Sequence, residues 1–279
     1  LILSITGSNT FEVYGNWENN GTFIPNSSTV TFADTTTLSG ATVFAFYSVV
    51  IGNYATLTSS IGMIRVKGNF TNNGTFVHNN GMVCFEGIYP QSISGNTSFY
   101  NVIFNTALSS VDIIILNPIS IQNAAQFNNG ILSFSGSGSL TFENGSSQSG
   151  ASYYSFVNGS VKKVGNTAFT FPVGKDDLFA PIGISAAEDG GSTTDAFTAR
   201  YFSHNPDNGG YLVSSKEAVL NHVSISEYWT LNREGTNNVD VTLSWDERSG
   251  SVTNLGTLCV ARWDGTQWVS HGKAGITGS

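Results

Sequence analysis

The sequence predicts an all-β protein, with a parallel β-helix-like solenoid over residues 1–150 followed by an immunoglobulin-like β-sandwich over residues 151–279. Three observations predict this fold class. A phrase ending in Asn-Asn-Gly-Thr-Phe occurs at residues 15–23 and again, 53 residues later, at residues 68–76. Short runs of β-branched and aromatic residues alternate with Asn-Gly and Gly-Ser turns. In addition, no long window carries the i, i+3, i+4, i+7 apolar spacing of an amphipathic helix.

The repeated phrase indicates a solenoid, because such a unit of short strands buries its apolar face only against its neighbours. The similarity continues from residues 30–32 to residues 83–85, and a weaker third copy begins at Asn128. A unit of 53 to 57 residues is too long for one coil and predicts two coils of three strands each. A stack of antiparallel meanders is the alternative, but the regular hairpin spacing of about 8–12 residues is missing.

The Asn residues of the repeated phrase are expected at the corners of the coils. Asn and Gly tolerate left-handed backbone angles there, and stacked Asn side chains can form ladders from coil to coil. Strands of the first part are predicted by apolar runs at residues 11–14, 29–32, 43–51, 63–67, 82–85, 111–116, 119–121, 131–134 and 140–142.

A change of composition near residues 146–152 separates the two parts. Four of the five Trp and nine of the eleven Lys and Arg residues follow residue 150. Alternating strands, about seven or eight in this part, are typical of a β-sandwich, which could cap the open strand edges of the last coil. They are predicted at residues 160–164, 168–171, 181–185, 196–202, 226–231, 239–245, 257–263 and 267–269.

The charge pattern excludes several classes of function. Charged residues make up 11% of the chain and its formal net charge is −8. The longest basic cluster is Lys162-Lys163, which is too short to neutralise nucleic acid or an anionic membrane surface. No apolar run of about 18 residues predicts a membrane-spanning segment. Cys84 and Cys259 lie in apolar strand-like runs and are expected to be buried thiols, with a long-range disulfide as the alternative.

No motif predicts catalysis or a cofactor. Carboxylates of the first part are scattered rather than paired as in glycosidases, the four His are isolated, and no Gly-x-Ser-x-Gly occurs. The acidic residues of the second part, among them Asp246, lie in turn-like stretches that suit solvated loops. A calcium site formed by Asp176, Asp177, Asp207 and Asn208 is the alternative, although no EF-hand spacing supports it.

The tryptophans are the stronger candidates for a binding site in the sequence. Trp229 and Trp245 occupy strand positions typical of a core. Trp263 and Trp268 flank the turn at residues 264–267, where they either pack as a hairpin or stack on a sugar ring. We therefore expect no catalytic, cofactor-binding or metal-binding residue, and possible carbohydrate binding at Trp263 and Trp268.

Two sets of phrases resemble those of a known class of proteins. Residues 68–76, 85–95 and 99–104 resemble repeats of large cell-surface proteins of Bacteroidetes bacteria, and residues 159–174 resemble a module common near their C-termini. This resemblance implies export by the type IX secretion route and an extracellular or cell-surface location. The C-terminal sorting domain that usually directs this route is not visible, and the ends of the chain suggest a piece of a longer polypeptide.

The resulting functional hypothesis is a non-catalytic structural or adhesive region of a secreted bacterial surface protein, acting as a rigid display rod. Its expected partners are other surface proteins, glycans or further copies of itself. The alternatives are a subunit of a self-assembling extracellular filament and a carbohydrate-binding module of a secreted polysaccharide-degrading enzyme. An enzyme is the least favoured alternative, since it needs a cleft with clustered carboxylates.

Overall fold

The computed structural model describes residues 2–40, 43–110, 112–250 and 254–276. Within these residues the chain contains 31 strands and two short 3-10 helices, which confirms the all-β prediction. No helix in the described part is long and apolar enough to cross a membrane. Val111, the first residue of one predicted strand, lies outside the described residues.

The first coils contain strands of two to four residues, because each strand ends at a corner. They are β1 (Ile2–Ser4), β2 (Thr10–Val13), β3 (Trp17–Glu18), β4 (Thr22–Ile24), β5 (Thr29–Phe32), β6 (Thr36–Ser39), β7 (Val43–Phe46), β8 (Ser48–Ile51), β9 (Thr56–Thr58), β10 (Met63–Val66), β11 (Phe70–Asn72), β12 (Thr75–Val77) and β13 (Met82–Phe85). The run predicted as one strand at residues 43–51 is thus divided between β7 and β8.

The later coils contain two longer strands. The elements are β14 (Gln91–Ser94), β15 (Thr97–Asn105), β16 (Ile113–Ile115), β17 (Pro118–Asn129), β18 (Leu132–Phe134), β19 (Ser139–Phe142), β20 (Ser147–Ser149), β21 (Val157–Asn158), β22 (Val161–Val164), β23 (Phe169–Phe171) and β24 (Val173–Lys175). The first half of β17 pairs with β19 and its second half with β20, so this strand spans two faces of the coil.

Parallel pairing of these strands forms a solenoid of about 8 turns, as the sequence predicts. A first sheet contains β2, β5, β8, β11, β14, β16, β18, β21 and β24 in that order. A second sheet contains β7, β10 and β13 and continues into the second halves of β15 and β17. A third sheet contains β3, β6, β9 and β12.

The prediction of two coils per sequence repeat is wrong. Thr10 pairs with Thr29, and Thr29 pairs with Ser48, so one coil takes 19 residues in this region. Trp17 and Phe70 are equivalent positions of the repeat, but Trp17 lies in β3 of the third sheet and Phe70 lies in β11 of the first sheet. From β3 to β11 the chain advances by eight strands, so at three strands per coil the repeat spans two and two-thirds coils. The repeated phrase specifies a strand and the corner after it, but it does not specify the face of the coil on which the strand lies.

Each copy of the phrase occupies a different corner of the coil. Residues 19–21 follow the third-sheet strand β3, and residues 72–74 begin at the last residue of the first-sheet strand β11. The weaker copy at residues 128–130 lies at the end of the second-sheet half of β17. Asn72 does not adopt a left-handed backbone conformation. Instead its side chain stabilises the corner, because Nδ2 of Asn72 donates to the carbonyl of Asn96 in the next coil at 3.1 Å.

The core is a stack of side chains that point inward from consecutive coils. In the first sheet, Val30 pairs with Val49 and Val49 pairs with Phe70, and all three side chains are buried. In the second sheet, Phe85 pairs with Phe104, and their rings are stacked with centroids 6.1 Å apart. Inward positions are thus covered by apolar side chains from the neighbouring coils, which is how a solenoid builds its core.

The second part begins inside the solenoid. Parallel pairing continues beyond residue 150, because Leu132 pairs with Val157 and Val157 pairs with Val173.

The remaining elements are β25 (Leu178–Phe179), β26 (Ile182–Ile184), η1 (Glu188–Gly190), β27 (Ala196–Phe202), η2 (Pro206–Gly209), β28 (Tyr228–Glu234), β29 (Val241–Leu243), β30 (Ala261–Trp263) and β31 (Trp268–Ser270).

The predicted β-sandwich is not confirmed. Instead, β27 pairs antiparallel with β22 and β28 pairs antiparallel with β27, so both strands extend a sheet of the solenoid. At the end of the first sheet, β25 pairs antiparallel with β24. The strands β23, β26 and β29 form a small antiparallel sheet, and β30 and β31 form a hairpin. Antiparallel strands here satisfy the backbone groups that the last parallel strands leave unpaired.

Candidate functional site

Trp263 and Trp268 lie opposite each other in the β30–β31 hairpin. Their ring centroids are 5.9 Å apart in an edge-to-face arrangement, and the ring of Tyr211 contacts both. Trp268 is only 7% exposed, and its indole nitrogen donates to the carbonyl of Tyr211 at 3.2 Å. This geometry is hairpin packing, so sugar stacking at the pair stays a prediction and depends on the half-buried Trp263.

The residues suggested for calcium lie in two separate elements. Asp176 and Asp177 form the turn between β24 and β25, where Asp176 pairs with the amine of Lys175 at 2.8 Å. Asp207 and Asn208 lie in η2, and the Asp207 carboxylate accepts the Val213 amide at 2.7 Å. Among the described residues no group of three or more His, Cys, Asp or Glu could hold a metal ion.

Both cysteines are free thiols. Cys84 is buried, and burial, followed by the nearby Glu86 carboxylate, raises the pKa of its thiol to about 11. Cys259 is half-buried, next to the hydroxyl of Ser270. The prediction of a buried thiol is confirmed for Cys84, and its raised pKa makes it a poor nucleophile at neutral pH.

A cavity of about 240 Å³ lies where the last coil meets the antiparallel strands. Its apolar wall comes from β25 and the residues that follow it, and from Trp245 after β29. Its polar wall combines residues from four separate places in the chain. These are Tyr153 before β21, Tyr201 on β27, Glu227 before β28, and Asp246 and Arg248 after β29.

Asp246, Arg248 and Tyr153 form one hydrogen-bonded group. The Arg248 guanidinium pairs with the Asp246 carboxylate and also donates to the Tyr153 hydroxyl at 2.9 Å. The Tyr153 hydroxyl in turn donates to Asp246 at 3.0 Å, and the guanidinium lies 4.9 Å from the centre of the Tyr153 ring. Hydrogen bonds from Arg248 lower the pKa of Asp246 to about 2, so this carboxylate stays ionised and cannot act as a general acid near neutral pH.

Tyr201 and Glu227 form the second polar group. Tyr201 is 4% exposed, and its hydroxyl donates to Oε2 of Glu227 at 2.8 Å. Burial, with a further contribution from Glu227, raises the pKa of the Tyr201 phenol. The other carboxylate oxygen, Oε1 of Glu227, has no hydrogen-bond partner among the described residues. It is therefore an available acceptor on a residue that lines the cavity.

The sequence does not reveal this cavity. Its polar residues are isolated along the chain, and Tyr153 lies 93 residues from its partner Asp246. The sequence pattern predicts a solvated loop charge at Asp246, whereas the structure places its half-buried side chain in the cavity wall. Of the tryptophans expected in the core, Trp229 and Trp245 are each half-buried, and Trp245 lines the cavity.

No protein-family model, no curated protein sequence and no solved structure matches this chain.

Proposed function

We propose that this chain is a non-catalytic structural or adhesive region of a secreted bacterial cell-surface protein, in which the solenoid acts as a rigid display rod. The observation that carries the proposal is the parallel ladder of the first sheet, which runs from β2 to β24. At a strand spacing of about 4.8 Å, its turns form a stack about 40 Å long. The coils of such a stack are fixed to one another by backbone hydrogen bonds and a continuous core.

The outer surface of the first sheet supports a display role. Thr10, Thr29 and Ser48 pair in register on consecutive strands of the first sheet. They lie on the outer side of the sheet, opposite the inward side chains that alternate with them along each strand. In the neighbouring outward row Thr31 pairs with Val50, Val50 with Thr71 and Thr71 with Ser94, and these four side chains are also uncharged. A surface of this kind offers many weak hydrogen-bonding groups in a regular array, which suits adhesion spread over a large contact.

Localisation and shape test the proposal together. Antibodies raised against this chain should label intact cells of the source bacterium without permeabilisation. Small-angle X-ray scattering of the purified chain should give an elongated monomer at all concentrations. Labelling that requires permeabilisation would contradict the surface location, and a flexible scattering profile would contradict the rod.

A self-assembling filament subunit is the second candidate, because the first coil has open edges. Within the described residues, β2 and β3 each have a strand neighbour on one side only. In β1 the side chains of Ile2 and Leu3 are 68% and 46% exposed. A second copy pairing with these edges would bury both the unpaired backbone groups and the apolar side chains.

Light scattering across a dilution series distinguishes the two candidates. The display rod predicts a mass that does not depend on concentration. The filament predicts assemblies that grow with concentration and that disappear when Ile2 and Leu3 are both replaced by Lys. The control is Val219→Lys, which changes another exposed apolar residue, 74% exposed, in the second part of the chain.

A further inference from the structure

We propose that the cavity between the last coil and the antiparallel strands binds one ring of a neutral sugar. The inference goes beyond the display role and does not depend on it. The cavity volume of about 240 Å³ is below the usual range for drug-sized ligands and suits a single small ring. Aromatic side chains in its wall, including Phe179 and Trp245, provide apolar surface for the C–H faces of a sugar.

The polar groups left over at the cavity match hydroxyl groups. Oε1 of Glu227 is an available acceptor, and Nη1 of Arg248 is a donor that has no partner within the described part of the chain. The hydroxyl of Ser244, which also lines the cavity, makes no side-chain hydrogen bond to a described residue. Each sugar hydroxyl both donates and accepts, so it needs this mixture of donors and acceptors.

These groups are held in place before any ligand binds. Glu227 is fixed by the buried hydroxyl of Tyr201 at 2.8 Å, and Arg248 is fixed by Asp246 and by Tyr153. A wall whose side chains are already ordered loses less conformational entropy on binding. This is an advantage for a small ligand, which makes few contacts.

The charges of the cavity disfavour an anionic ligand. Arg248 is neutralised by its ion pair with Asp246, so an anion would meet the uncompensated carboxylate of Glu227. The same carboxylate would attract a cation, so a cationic sugar is the competing ligand that the titration below includes. The mixture of free donors and acceptors at the cavity is what favours a neutral polyhydroxyl compound.

Titration of the whole chain with single sugars tests the inference. The neutral probes are glucose, galactose, mannose and N-acetylglucosamine, and the charged probes of the same ring size are glucuronate and glucosamine. Binding is followed by tryptophan fluorescence and by amide chemical shifts in two-dimensional NMR. We expect saturable binding of at least one neutral sugar, with the largest shifts at residues 244–249, and weaker binding of the anionic probe glucuronate.

Matched variants assign the binding to the cavity. Glu227→Gln should weaken the affinity for the neutral sugar by about tenfold, since a hydrogen bond to a charged acceptor is stronger than one to an amide. Ser244→Ala provides a second variant that leaves the Tyr201–Glu227 bond in place. The control is Glu234→Gln on β28, whose exposed side chain pairs with Lys162 away from the cavity and should not change the affinity.

Three results would overturn the inference. They are no saturable binding of any neutral probe, binding of the charged probes alone, or equal affinities in Glu227→Gln, Ser244→Ala and Glu234→Gln. Circular dichroism and the thermal midpoint of each variant show that it is folded. Surface labelling and scattering test the display role separately, so failure of one proposal does not decide the other.

Discussion

The middle coils and the last coil bury their inward side chains in different ways. In the middle coils, Phe85 pairs with Val66 on one side and Phe104 on the other, and all three side chains are fully buried. In the last coil, the residue that pairs with Phe142 is Lys163, which is also fully buried. Lys163 thus interrupts a different inward row, in which Phe99, Ile121 and Phe142 pair in succession on consecutive strands.

Lys163 replaces apolar contacts with hydrogen bonds. Its amine donates to the carbonyl oxygens of Glu143 at 2.7 Å and Ser146 at 2.8 Å, which belong to the turn of the preceding coil. It also lies 5.4 Å from the centre of the Phe169 ring. On the far side, Lys163 pairs with Phe197 of the antiparallel strand β27.

The difference teaches how a solenoid ends. A middle coil has a similar coil on each side and needs only apolar side chains. The last coil has a parallel neighbour on one side only, so antiparallel strands satisfy its open edge. Its buried amine donates to the carbonyl of Ser146 and adds a third donor to the carbonyl of Glu143, which also accepts from the amide and the hydroxyl of Ser146. The following predictions test this contrast, beginning with the largest expected effect.

Truncation in the middle of the apolar stack should destabilise the protein most. Phe85 contacts the rings of Phe70, Phe99 and Phe104, so Phe85→Ala removes contacts with several coils at once. We expect the free energy of unfolding to fall by about 3–5 kcal/mol, measured by chemical denaturation. Thr71→Ala, on the outer surface, is the control and should cost less than about 0.5 kcal/mol. Equal losses would contradict a core built by stacking.

Removal of the buried amine should have a smaller effect. Lys163→Met keeps much of the volume but leaves the carbonyls of Glu143 and Ser146 without this donor. We expect a loss of about 1–3 kcal/mol at pH 7, the cost of removing the amine from the buried Ser146 carbonyl, whereas the Glu143 carbonyl keeps its bonds from Ser146. The matched control is Lys162→Met, whose amine is half-exposed and pairs with Glu234. An unchanged or increased stability of Lys163→Met would show that the amine is dispensable.

The same lysine should make stability depend on alkaline pH. Burial lowers the pKa of Lys163 from its ordinary value of 10.5 to about 8. Between these values the unfolded chain binds more protons than the folded protein, so stability contributed by this group rises with pH over that interval. Relative to Lys163→Met, the wild-type protein should therefore become more stable between pH 8 and 10.5. A constant difference between the two proteins would contradict the lowered pKa.

The ion pair between two middle coils should have the smallest effect. Nε of Arg65 donates to the carboxylate of Glu86 at 2.8 Å, and the side chain of Arg65 is 47% exposed. We expect Glu86→Gln to cost about 0.2–1 kcal/mol, with the difference shrinking in high salt. Denaturation at low and high salt measures it. A loss as large as that of Phe85→Ala would mean that charge, rather than stacking, joins the middle coils.

Local strand signals could be predicted from the sequence, whereas the placement of strands on faces could not. The runs at residues 29–32 and 82–85 form strands with the predicted bounds. By contrast, Trp17 and Phe70 occupy equivalent positions of the repeat but lie in different sheets. The alternation of apolar and polar residues specifies which side of a strand is buried. Strands on all faces of the coil have this alternation, so it does not indicate to which sheet a strand belongs.

The cavity could not be predicted for a related reason. Tyr153, Tyr201, Glu227 and Asp246 come from separate loops and strands, and they meet only because antiparallel strands cover the last coil. The sequence predicts where the strands of this second part lie, but it does not predict which strands pair with each other. The alternation that suggested a sandwich also fits strands that extend an existing sheet, since both arrangements bury one side of each strand.

The three corners occupied by the Asn-Asn-Gly phrase show what a repeat of two and two-thirds coils does to a solenoid. Because each copy lies at the end of a strand of a different sheet, the copies are placed on three different sides of the long axis of the solenoid. Their exposure differs as well, since Asn128 is exposed whereas its counterpart Asn72 is buried. A repeat that is not a whole number of coils therefore gives the same short sequence a different position and a different environment in each copy.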